Sequence, residues 1–112
     1  MDNLTIDEQF HKELEIAELA RISGNEGRAR VCARRAAGIV LGEYFKRRGV
    51  SPIKPSAYDR LRTLRELSDV PSNVIQVVDH FLLRVDTDKQ LPISVDLIED
   101  ARWLKSKLID TN

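Results

Sequence analysis

The stretch GNEGRARVCARRAAGIVLGEYFKRRG (residues 24–49) decides the fold, because its apolar residues recur with the period of one long α-helix. Asn25 is a favourable N-cap and Gly49 a favourable helix end, which predicts a helix from about residue 25 to residue 48. At about 100° per residue, one face carries the small and apolar side chains Ala29, Ala33, Ala36, Ala37, Val40 and Tyr44. This face allows another helix to approach closely.

A second set of apolar residues on the same helix, Val31, Leu41 and Phe45, falls away from the alanine face. Apolar positions on more than one side are typical of the central helix of a bundle, or of a helix with a second partner. This second apolar lane therefore indicates either a further helix of the same chain or a second copy of it.

The segment before this helix predicts a first helix. Thr5 and Glu8 have the spacing of a capping box, and Gly24 ends the apolar stripe that follows. No convincing strand is found in the chain.

Three further helices are predicted after residue 49. Ser56 caps a third helix, which carries Tyr58 on its apolar stripe, and Pro71 suits the first turn of a fourth. Ser94 caps the last helix, with Ile93 and Ile98 placed for a hydrophobic staple. We therefore expect an all-α, antiparallel bundle of four or five helices, formed as one domain by residues 1–112.

Composition excludes several classes of protein. The chain has 112 residues, of which 42% are hydrophobic, and this is too many for a disordered chain. One cysteine excludes a disulfide framework and a multi-cysteine metal site, and two histidines leave little for a zinc site. No metal and no cofactor are expected. Cys32 itself is interpreted as a buried structural residue. No apolar run suits a signal peptide or a membrane span, so a cytoplasmic protein is expected.

Charge is unevenly distributed along the chain. Residues 1–20 carry one base and six acids, residues 21–65 twelve bases and three acids, and residues 66–112 five bases and nine acids. On the long helix, an arc opposite the alanine face carries Arg28, Arg30, Arg34 and Arg35. Guanidinium groups match phosphate oxygens, so this arc predicts a surface for RNA or nucleotide phosphates. Two alternatives remain: the acidic first and last helices pair with the basic middle, or the arc contacts a protein.

The order of the helices resembles the HEPN superfamily of small helical bundles. The resemblance is carried by residues 24–49, AYDRLRTLREL (57–67), VIQVVDHFLLRVDTD (74–88) and SVDLIEDARWLKSKL (94–108). It implies an all-α bundle that acts as a homodimer. Some members of the superfamily bind nucleotides, or serve as partners of small nucleotidyltransferases in two-component modules.

Many HEPN proteins are endoribonucleases with an Arg followed, after four to six residues, by a His. The best candidate arginine is Arg84, at the end of the fourth helix, but positions 89–91 hold no histidine. Neither His11 nor His80 has an arginine at the required distance before it. The resemblance therefore does not extend to nuclease activity, and a non-catalytic role is favoured while enzymatic activity is left open.

The sequence thus predicts a non-catalytic binding or adaptor domain whose ligand-binding residues are Arg28, Arg30, Arg34, Arg35 and Arg84. One alternative is a protein-interaction partner of a nucleotidyltransferase in a toxin–antitoxin-like module. A second is a divergent endoribonuclease around Arg84 and His80, with Asp79 orienting the imidazole. A third is a bundle whose charges serve only solubility and folding.

Overall fold

The structure is a computed structural model that describes residues 4–84 and 94–110. Within these ranges all regular structure is helical, which confirms the all-α class. The helices are α1 (Ile6–Ile22), α2 (Glu26–Arg48), α3 (Ala57–Glu66), α4 (Ser72–Leu82) and α5 (Leu97–Leu108). None of the helices in the described part of the chain is long and apolar enough to cross a membrane.

Helix α2 is the centre of the bundle, because it packs against α1, α3 and α5, while α4 packs against α3 and α5. The alanine face predicted from the sequence is buried from Ala29 to Val40. Leu41 and Phe45 are buried as well, whereas Val31 is 43% exposed. Other helices of the same chain therefore cover most of the second apolar lane, and that lane no longer argues for a dimer.

The predicted ends of α1 and α2 are confirmed by their hydrogen bonds. The Glu8 backbone N–H donates to Thr5 Oγ1 at 3.1 Å, and the Thr5 N–H donates to the Glu8 carboxylate at 3.2 Å. The Asn25 side chain accepts from the Arg28 N–H at 3.0 Å. Gly49 ends α2 with a φ of +70°, a conformation that glycine adopts without steric cost.

The starts of the later helices agree less closely with the sequence. Ser56 caps α3 as predicted, but Pro71 is the N-cap residue of α4 and does not lie in its first turn. The prediction for α5 is wrong: its N-cap is Asp96, not Ser94. The Asp96 carboxylate accepts from the Ile98 and Glu99 N–H groups and also favours the positive end of the helix. Ile93, the other half of the predicted staple, lies outside the described residues.

Helix α3 crosses α2 at unusually short range, at Gly38. A Cβ atom built on Gly38 would lie 2.6 Å from the Cβ of Ala57, so no larger residue fits without moving a helix. Arg60 holds the same contact by donating from Nη1 to the Gly38 carbonyl at 2.8 Å. The crossing places the start of α3, including Tyr58, beside the middle of α2.

Candidate anion-binding site

The structure divides the predicted basic arc of α2 into two parts. Arg28 and Arg35 are exposed, whereas Arg30 and Arg34 are half-buried. The Arg34 side chain reaches α4, where its Nε–H donates to the Phe81 carbonyl oxygen at 3.0 Å. The four arginines therefore do not form one uniform surface, and Arg34 is the member built into the fold.

Arg34 and Arg84 line one open cavity of about 320 Å³. The cavity lies between α2, the start of α3 and the end of α4, and its other lining residues are Tyr58, Phe81, Leu82 and Leu83. Arg84 lies two residues after the end of α4 and is exposed. Two arginines that the sequence singled out from separate helices thus meet at one place. We call it the Arg34–Arg84 cavity.

The Arg34 guanidinium lies in an unfavourable electrostatic environment. Burial lowers its pKa below the usual value, and the nearby charge of Arg30 lowers that pKa further. Both effects disfavour the charged form, yet an arginine stays protonated at neutral pH. An anion in the cavity would offset both effects.

Elsewhere in the bundle, carboxylates do neutralise cations of the basic middle segment, but Asp69 and Asp79 do not belong to the first or last helix, from which one alternative expected this pairing. Arg21 pairs with Asp96 at 3.0 Å, Arg65 pairs with Asp79 at 2.6 Å, and Arg48 is ion-paired with Asp69.

Four of the five ligand-binding candidates differ from these paired cations. Within residues 4–84 and 94–110, no carboxylate pairs with the guanidinium of Arg28, Arg34, Arg35 or Arg84. Internal ion pairing thus accounts for part of the basic segment but not for these four candidates.

Tyr58 is the residue of this cavity that the sequence analysis missed. Its position three residues before Leu61 placed it on the apolar stripe of α3, so its side chain was expected to face the core. Instead, the side chain is 41% exposed and lines the cavity. The Arg62 guanidinium lies 5.7 Å from the centre of the Tyr58 ring. The four-residue spacing of an aromatic residue and an arginine on a short helix is the signal that could have indicated an exposed pair.

His80 has a different partner from the one considered for it. Its Nδ1 lies 2.9 Å from an oxygen of Asp100 on α5, whereas Asp79 is turned to Arg65. The proposed Asp79–His80 pair is therefore not formed, because adjacent helix residues point to different sides. Burial raises the pKa of Asp100, and the hydrogen bond from His80 opposes that rise.

Cys32 is buried, as expected for a structural cysteine. In the part of the chain that the structure describes, no three His, Cys, Asp or Glu side chains are grouped as the ligands of a metal ion would be.

Comparison of the chain with protein-family models, with curated proteins and with solved structures finds no match. The resemblance to HEPN domains therefore stays a prediction.

Proposed function

We propose that this chain is a non-catalytic, HEPN-like binding or adaptor domain that binds the phosphates of RNA or of a nucleotide. The ligand-binding residues are those predicted from the sequence, and Arg34 and Arg84 form their centre. The observation that carries the proposal is the half-buried Arg34, which has no carboxylate partner among the described residues and shares a cavity with a second arginine.

The energetic argument concerns the cost of burying a cation. A buried charge destabilises a fold unless it is paired and hydrogen-bonded. In the described part of the chain Arg34 has a single hydrogen bond, from Nε–H to the Phe81 carbonyl, and that acceptor is neutral. A phosphate in the cavity would supply the missing negative charge and accept bidentate hydrogen bonds from the guanidinium.

Arg28 and Arg35 would act differently from the cavity pair. They are exposed, and neither of them lines the cavity. Exposed arginines attract a nucleic-acid backbone without reading its sequence, and their contribution weakens as salt screens it. They extend the surface beyond the cavity.

The test is the binding of a labelled mixed-sequence RNA across a salt series, with Arg84→Gln as the variant and Arg47→Gln as the control. Arg47 lies on α2 and is paired with Glu43, so the control removes the same charge from a site already neutralised. We expect affinity to fall steeply with salt, with a slope smaller by about 1 in Arg84→Gln. The absence of binding at low salt would refute the proposal.

The same samples, run on a gel, test the endoribonuclease alternative. Intact RNA is expected, and cleavage that Arg84→Ala abolishes would establish the nuclease instead.

A protein-interaction role remains the second candidate, including the partner of a nucleotidyltransferase. Exposed apolar side chains favour it: Leu19 is 57% exposed, Ile22 82% and Val31 43%. Stable co-purification with a second protein, together with no binding of RNA or nucleotide, would make this role the leading one.

A further inference from the structure

We infer that the Arg34–Arg84 cavity holds a terminal phosphate, the phosphomonoester of a nucleotide, with the base lying on Tyr58. The inference rests on the proposed function and narrows it. Two sources share this chemistry, a free nucleotide and the phosphorylated end of an RNA.

The charge of the site favours a phosphomonoester over an internal phosphodiester. A phosphomonoester carries between about −1.5 and −2 at neutral pH, whereas each internal phosphate carries one negative charge. The cavity presents two guanidinium groups, those of Arg34 and Arg84. A dianion offsets this concentration of positive charge more completely than a monoanion does.

The shape of the site also favours the end of a chain. Its volume of about 320 Å³ is at the low end of the range for small-molecule cavities, roughly 300–1,000 Å³. A strand that passes through needs a continuous basic groove, but Arg28 and Arg35 do not line the cavity. The lining between the two arginines is apolar, from Phe81 to Leu83. A single phosphate with one attached nucleoside fits such a site.

Tyr58 supplies a surface for the base. Its ring is partly exposed at the cavity, and nucleobases stack on aromatic side chains regardless of their sequence. The Arg62 guanidinium beside the ring adds positive charge, and within the described residues it has no carboxylate partner. Phosphate and base are thus recognised at one cavity by residues of α2, of α3 and of the segment that follows α4.

The test is calorimetric titration of the full chain with AMP, with adenosine, and with one short RNA carrying a 5′-phosphate, a 3′-phosphate or neither. AMP is expected to bind and adenosine to bind at least tenfold more weakly. A terminal phosphate is expected to strengthen RNA binding at least tenfold, and Arg84→Gln should abolish that difference. Arg47→Gln should retain it. The test uses Arg84 because this residue is exposed, so its substitution leaves the packing of the half-buried Arg34 in place.

The Tyr58 contact is tested by two variants. Tyr58→Ala is expected to weaken AMP binding about tenfold, and Tyr58→Phe, which keeps the ring, should bind as the unmodified chain does. If the phosphorylated RNA binds much more tightly than AMP, the source is an RNA end, and if both bind equally, it is a free nucleotide.

Two results would overturn the inference in different ways. If the three RNAs bind equally and Arg84→Gln weakens all of them, the phosphate-binding surface stands and its preference for a terminal phosphate is refuted. If neither AMP nor any RNA binds, the proposed function fails as well.

Discussion

Arg34 on α2 donates its Nε–H to the carbonyl oxygen of Phe81 on α4, 3.0 Å away. That carbonyl belongs to the last turn of α4, whose carbonyl groups lack partners within the helix. The side chain therefore completes the end of one helix and, at the same point, places a cation at a cavity. A residue with a purely structural task would need the hydrogen bond but not the charge.

Substituting Arg34 with methionine should separate these two tasks. We expect Arg34→Met to lie within about 1 kcal/mol of the unmodified chain in its free energy of unfolding. The reason is that the substitution removes a half-buried charge with no carboxylate partner among the described residues, and this offsets the lost hydrogen bond. Urea denaturation measures this, with Arg34→Ala as the control that also loses the packing of the side-chain stem. A loss above about 2 kcal/mol in Arg34→Met would show that the charge itself stabilises the fold.

The α2–α3 crossing should tolerate no side chain at Gly38. A Cβ there would also lie 3.0 Å from the Ala57 backbone, so we expect Gly38→Ala to lose about 1–3 kcal/mol of stability. Gly27→Ala is the matched control on the same helix, because its added Cβ meets only the Asn25 side chain, at 3.8 Å. The control should be neutral or up to about 1 kcal/mol more stable. Equal melting temperatures for the two variants would contradict this packing.

Lys105 should give a pH dependence with a defined sign. It is almost fully buried, with its Nζ 2.8 Å from Asp7 and 3.0 Å from Asp110. Burial lowers the pKa of Lys105, but its hydrogen bonds to these carboxylates outweigh that effect, so the pKa lies above its usual value. The same ion pair lowers the pKa of Asp7.

The measurement is the stability difference between the unmodified chain and Lys105→Met, followed by urea denaturation across pH. Asp7 contributes stability that is lost as pH falls through its lowered pKa, below the usual value of 3.8. Lys105 contributes stability that is lost as pH rises through its raised pKa, above the usual 10.5. We expect the difference to be most favourable to the unmodified chain between about pH 5 and pH 9. A difference that does not change with pH would contradict the ion pair.

Much of the fold could be predicted because its signals are local. Thr5, Asn25 and Gly49 act on backbone groups a few residues away. Their positions in the sequence are therefore sufficient to predict where α1 begins and where α2 begins and ends. The start of α5 was misplaced because Ser94 and Asp96 are both good caps and lie two residues apart. Asp96 is the N-cap of α5, because its carboxylate accepts hydrogen bonds from two N–H groups and its negative charge is favourable at the start of a helix.

The candidate site could be predicted only in part. The helical period placed Arg34 away from the alanine face. Its hydrogen bond to Phe81, however, joins residues 47 positions apart, and a local sequence pattern does not predict a contact over such a separation. The exposure of Tyr58 depends on how α3 crosses α2. The particular carboxylates that pair with Arg21, Arg48 and Arg65 lie far away in the sequence, so no local pattern identifies them. Among the described residues, this pairing distinguishes these three cations from Arg28, Arg34, Arg35 and Arg84.

Self-association is the next prediction, since the resemblance implies a homodimer. The apolar side chains left exposed on α1, Leu19 and Ile22, offer a surface for it. Sedimentation equilibrium should then give the mass of a dimer. The variant Leu19→Glu should be a monomer, because a charge is costly to bury in an interface. Glu15→Gln, at an exposed position one turn earlier, is the control and should leave the dimer intact. A single chain at every concentration would refute the homodimer.

The most direct test of the central claim follows the arginine side chains themselves by nuclear magnetic resonance. In ¹⁵N-labelled protein titrated with AMP, the Nε–H signals of Arg34 and Arg84 should shift and saturate together, while adenosine leaves both unchanged. Arg47, already paired with Glu43, should not respond. Arg34 and Arg84 signals that stay fixed at AMP concentrations that saturate binding would contradict a phosphate site in this cavity.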